Sequence, residues 1–192
     1  MGGSQALNAV EHIVECYFRY CKGCFTISDL KIKSGNNRQA DLLAYSLLTK
    51  KQYHIESSVT HCKNWAHSIE DLRDVFDKKF RGVPAAREGG KTDYAKGKNY
   101  FNSIIQTYRS AGFAPSKIQR IFVTWIVTDE SGLRKFLVDY HKKYGIKVIL
   151  LSFRDQIIPE LRKAISTSNY DDEALRIFSL LQQCDLQVPS NK

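Results

Sequence analysis

Residues 37–63, NRQADLLAYSLLTKKQYHIESSVTHCK, read as two strands joined by a short turn. The first spans residues 39–48 and the second residues 52–59, with Thr49, Lys50 and Lys51 between them. Both are rich in β-branched and aromatic residues and have ordinary strand length. The second alternates: Tyr53, Ile55, Ser57 and Val59 share one face, His54, Glu56, Ser58 and Thr60 the other. The first is apolar on both faces except at Asp41, which predicts a central, mostly covered strand. A two-residue loop at Lys50 and Lys51 sets Thr49 opposite Gln52 and brings Asp41 near Thr60. Asp41 then shares a face with Glu56 and Ser58, an arrangement that a one-residue slip would reverse.

Two carboxylates meeting on a covered sheet face are costly to bury without a partner. One solution is a divalent cation. Carboxylate oxygens suit hard Mg²⁺ or Mn²⁺, and such an ion activates water and neutralises phosphate. The plainer solution is a salt bridge from either carboxylate to one of the chain's many Lys or Arg side chains.

A helix carrying Glu, then a strand, then R-x-A-D-L-L-A-Y, a turn and H-I-E-x-x-V resembles the PD-(D/E)xK, restriction-endonuclease-like nuclease superfamily. The resemblance implies that Asp41 and Glu56 hold Mg²⁺ or Mn²⁺, with the Ser57 carbonyl as a further oxygen ligand. It also implies a helix-borne carboxylate, Glu15 or Glu11, and places Glu15 in the catalytic set. Ala40 stands where the motif has proline, and Ser58 stands where E-x-K has lysine. A serine hydroxyl supplies no positive charge to orient the attacking water or steady the phosphate. Lys33 or Lys63 reaching in, a second metal or water, or a silent site are the alternatives.

At 192 residues, 43% hydrophobic and 26% charged, the chain fits one domain of ordinary globular composition. Neither a membrane-length apolar run nor a signal-peptide pattern is visible, and MGGSQA departs from the myristoylation pattern at Ala6. A cytoplasmic (intracellular) protein without a membrane partner is expected. The net charge of +9 favours a polyanionic partner through counterion release. Five cysteines, an odd count, predict reduced thiols. Cys21 and Cys24 have C-x-x-C spacing, with His12 and Cys16 upstream, but no second ligand pair follows, so buried structural thiols are the favoured reading.

Residues 6–22 form an amphipathic helix ended by Gly23, with Glu11 and Glu15 at the edge of its apolar face. Residues 24–33 form the first strand. Helices are expected at 66–80, 94–111, 129–144, 154–165 and 170–183, with buried strands at 121–127 and 146–152. Asp71, Asp74 and Asp77 are expected on the wet face of the 66–80 helix. Residues 78–98 are rich in glycine and basic residues and read as a loop gripping a phosphate backbone through Lys79, Arg81, Arg87, Lys91, Lys96 and Lys98. Its Gly-Gly-Lys-Thr lacks the upstream glycine of a nucleotide-binding loop.

The expected fold is α/β: a mixed central sheet flanked by helices, with an αβββαβ restriction-endonuclease-like core over about residues 6–152. A C-terminal helical extension over about 153–184 completes a single domain spanning 1–192. The function expected is that of a Mg²⁺-dependent nuclease, a phosphodiester hydrolase acting on DNA, with Ser58 filling the missing lysine's place. One alternative is a catalytically weak or inactive nuclease-fold protein that binds nucleic acid within a larger complex. Another is an unrelated small-molecule α/β enzyme. Homodimer and protein-complex partnerships stay open.

Overall fold

The computed structural model describes residues 8–33, 38–59, 66–83, 99–128 and 131–185. The chain runs α1 (Ala9–Tyr20), β1 (Cys24–Lys31), β2 (Gln39–Ser46), β3 (Gln52–Ser58), α2 (Ile69–Phe80), α3 (Phe101–Ser110), β4 (Ile118–Thr124), α4 (Ser131–Tyr144), β5 (Val148–Ser152), α5 (Ile158–Ala164) and α6 (Glu173–Asp185). The five strands form one mixed sheet in the order β1-β2-β3-β4-β5. β1, β2 and β3 are antiparallel neighbours; β3, β4 and β5 are parallel. Thus β4, α4 and β5 make the expected crossover unit. No described helix is long and apolar enough to cross a membrane.

The central hairpin is registered differently from the expectation. Leu42 pairs with Ile55, Leu43 with His54 and Tyr45 with Gln52, and the Ser46 amide donates to the Lys51 carbonyl. β2 therefore stops at Ser46, and Leu47 and Leu48 go into the turn. Ser46 Oγ accepts from the Thr49 amide at 3.3 Å, and Lys50 takes φ +57°, so the reversal needs more residues than a two-residue loop. Continuing the ladder one step sets Asp41 beside Glu56 rather than residue 60. The slip is even, so the two carboxylates keep a common face.

Helices cover both sides of the sheet. Val14, Tyr17 and Phe18 of α1 pack on Leu42, Ala44, Ile55, Ile121 and Val123. The opposite face carries Phe122 and Val148 against Leu72, Phe76 and Phe80 of α2 and Phe136 and Tyr140 of α4. Beside it, Leu43 packs on Ile104 and Tyr108 of α3. The C-terminal extension closes against α1: Leu175 and Phe178 of α6 meet Cys16, Leu161 and Ile165. α5 starts later than expected because a wide π-type turn, Phe153–Ile157, precedes Pro159 in its first turn.

α2 starts at Ile69 because Ser68 caps it reciprocally with Asp71. Asp71 is therefore part of a cap, and Asp77 accepts from Arg81 at 2.7 Å and from the Tyr140 hydroxyl at 2.9 Å, rather than both being merely solvated. Past α2, Gly82 takes φ +66°, and its carbonyl accepts from the Tyr100 amide at 3.0 Å. A β-carbon on Gly82 would lie 2.7 Å from the Tyr100 carbonyl carbon. This contact ties the end of α2 to the start of α3. Gly82→Ala is expected to lower stability by about 2 kcal/mol or more, through left-handed strain plus a backbone clash. A urea midpoint unchanged from the parent would refute that.

Candidate active site

Asp41 and Glu56 sit near the ends of β2 and β3, and both are almost completely buried. Strand β2 delivers Asp41 beneath the Ser57 amide, which donates to Asp41 Oδ2 at 2.8 Å. From the facing layer α2 inserts Lys79. Its Nζ lies 2.9 Å from Asp41 Oδ1 and in ion-pair contact with Glu56 Oε2. The two acids thus converge on a single cationic group. Glu56 Oε2 therefore meets the Lys79 ammonium directly, beside Asp41.

Behind Glu56 lies a buried relay. His54 Nε2 is 2.6 Å from Glu56 Oε1, and the Tyr108 hydroxyl is 2.6 Å from His54 Nδ1. Burial, then the nearby Arg120 charge, pulls His54 down to about 3. A neutral ring has one N–H and one bare nitrogen, so a proton on Nε2 would serve Glu56 and leave Nδ1 to accept from Tyr108. Arg120 in turn supports the Tyr108 oxygen. Each member fixes the next, so Glu56 presents Oε2 toward Asp41 and Lys79.

The electrostatics are those of crowded acids. Burial, reinforced by Glu56, pushes Asp41 up to about 6 despite Lys79 and the Ser57 amide. Burial also raises Glu56, against the pull of Lys79. Lys79 is held above its usual range: burial opposes its charge, but Glu56 and Asp41 outweigh that.

The expected site residues divide. Asp41 and Glu56 meet as foreseen. Ser58 ends β3 on their face, paired with Thr124. Ser57 contacts Asp41 through its amide and, at 3.5 Å, its hydroxyl. Glu15 is engaged elsewhere, accepting from Thr26 Oγ1 at 2.7 Å and Ser28 Oγ at 3.5 Å. The α1 carboxylate that senses this centre is Glu11, raised first by burial and then by Asp41 and Asp29. Asp29, at φ +53° in β1, accepts from Gln39 beside Asp41.

Lys79 and Arg81 do not form a solvent-facing grip. Lys79 points at the acids; Arg81 pairs with Asp77 and lies 3.6 Å from the Tyr144 ring centre. Arg87, Lys91, Lys96 and Lys98 lie outside the described residues, as does Lys63. Among the described residues, Lys79 brings an ammonium to the two acids. Its position was readable: it falls between Phe76 and Phe80, seven residues after Leu72, on the buried stripe of α2. His54 shares a strand face with Glu56 two residues on, which also signalled its contact.

Asp41 and Glu56 offer the oxygen donors that a hard divalent ion takes, at a point that the Lys79 ammonium occupies. No known family model, curated protein or solved structure matches this chain.

Proposed function

We propose that the chain is a metal-dependent nuclease hydrolysing phosphodiester bonds, with DNA as its substrate. The observation carrying this reading is the convergence of Asp41 and Glu56 on Lys79 at one end of the β2–β3 hairpin. Asp41 and Glu56 would hold Mg²⁺ or Mn²⁺, which when bound acidifies water and offsets phosphate charge. Lys79, its ammonium secured by both acids, orients the incoming water and balances charge on the phosphate. His54 and Tyr108 hold Glu56 in its presenting rotamer. Glu11 adds negative charge at the open edge. The chain's net charge of +9 supplies attraction to a nucleic-acid backbone.

The test is cleavage of plasmid, linear duplex and single-stranded substrates in Mg²⁺ or Mn²⁺, with an RNA control. Asp41→Asn is expected to cut at least about 100-fold more slowly, because an amide oxygen is a poor substitute for a carboxylate at a cation. Cleavage indifferent to chelator, or undiminished in Asp41→Asn, would refute the assignment.

A second reading rests on the same lysine. Lys79 already neutralises both carboxylates, so the pocket can persist without an ion as the buried centre of a non-catalytic nucleic-acid-binding subunit in a larger complex. Salt-sensitive DNA binding without cleavage in either metal selects that reading.

A further inference from the structure

On the far side of α1, three side chains from distant parts of the chain turn toward one point. His12 and Cys16 are one helical turn apart on α1, and Asp172 immediately precedes α6. His12 Nε2 lies 3.0 Å from Asp172 Oδ2 and 3.9 Å from Cys16 Sγ. Cys16 Sγ is 3.8 Å from both Asp172 oxygens. The geometry points to a zinc-binding site formed by His12, Cys16 and Asp172, clamping the C-terminal helix α6 onto α1.

Three features favour an ion over a purely packed cluster. First, the spacing matches. A tetrahedral zinc with bonds of about 2.3 Å to sulfur and about 2.1 Å to nitrogen and oxygen sets its ligand atoms roughly 3.3–3.6 Å apart. Shifts of a few tenths of an ångström bring these three onto that frame. Second, Asp172 has a remaining partner appropriate to ligation. Asp172 Oδ1 accepts from the Leu175 amide at 3.1 Å, capping α6, which leaves Oδ2 for the ion. His12 Nδ1 faces Glu15 Oε2 at 3.9 Å, an ion-pair separation longer than a hydrogen bond.

Third, the arrangement is unsuited to nucleophilic catalysis. A Cys–His–Asp relay places thiol and carboxylate on opposite ring nitrogens. Here both approach Nε2, so the donors converge instead of forming a chain. Cys16 is fully buried, whereas the His12 and Asp172 side chains remain 29% and 20% exposed, which gives an ion an entry path. The mixed sulfur, nitrogen and oxygen donors select zinc over Mg²⁺, with water completing the fourth position.

The test uses the full, reduced, metal-free chain titrated with Co²⁺ and then Zn²⁺. One equivalent of Co²⁺ is expected to produce thiolate-to-cobalt charge-transfer absorption and the intense visible bands of tetrahedral cobalt, which Zn²⁺ then abolishes. Zinc is also expected to slow amide exchange along α6. Cys16→Ser should eliminate the charge-transfer band. His12→Gln, at a partly exposed position that keeps the fold, should weaken zinc binding by more than the roughly 10–100-fold typical of losing an outer partner. Asp172→Asn should do likewise, while Asp41→Asn should leave the zinc affinity unchanged, separating this site from the nuclease reading. Absence of the band, its persistence in Cys16→Ser, or unchanged zinc affinity in His12→Gln would overturn the proposal.

Discussion

Replacing Lys79 by Met is expected to reduce DNA cleavage by about 10²–10³-fold, the cost typical of losing one positioned transition-state donor. The same change leaves Asp41 and Glu56 buried against each other without their shared counter-ion. A stability loss of about 3 kcal/mol should accompany it, the low end for breaking a buried pair because the Lys79 side chain is 29% exposed. Ser58→Lys separates charge supply from folding. Alone it should add little, because Lys79 already provides the ammonium. Combined with Lys79→Met it should recover part of the lost rate by returning a lysine to the E-x-K position. Full-rate cleavage by Lys79→Met would leave Lys79 a counter-ion only, with no part in the chemistry.

Acid should act oppositely on two neighbouring variants. Asp41 titrates at about 6 when folded, against 3.8 as its ordinary value. Between those values the folded chain holds a proton that the unfolded chain has released. This group's contribution to stability therefore rises as pH falls through 6 toward 4. His54 behaves in reverse. Folded it titrates at about 3 against an ordinary 6.5, so acid protonates the unfolded chain first and stability is lost as pH falls below 6.5. Relative to the parent, Asp41→Asn should become more acid-sensitive by on the order of 2 kcal/mol, and His54→Gln less so by about 3 kcal/mol. Urea midpoints in chelator at about pH 7 and about pH 4.5 read the difference. Variants that both parallel the parent would show that neither group titrates across that range in the folded chain.

The fold was legible where periodicity alone decides. The IFVTWIV run enters buried β4, which starts three residues earlier and ends at Thr124. The strand after Gly145 is its parallel neighbour, but at the sheet edge with Ile149 exposed. The stripe of α1 points inward. Turn chemistry was harder to read. Nothing in L-L-T-K-K announces that both leucines leave the strand, because apolar residues usually mark its continuation. The shared face of Asp41 and Glu56 survived because the resulting slip was even. Lys79 was misjudged for a compositional reason: it stands beside a glycine-rich basic stretch, which masked its place on a buried stripe. Glu11 and Glu15 are one turn apart, so sequence spacing could not separate the one near Asp41 from the one held by Thr26. The approach of Asp172 to His12 and Cys16 links residues more than 150 positions apart, and no local pattern encodes it.

The amide-to-carbonyl bond between Tyr100 and Gly82 brings the two ends of the intervening stretch together three residues beyond Lys79. Closing a longer excursion costs only about 0.6 kcal/mol per doubling of its length. The bond at Gly82 and Tyr100 would then hold the acids and their lysine in register whatever the length of sequence between the two residues.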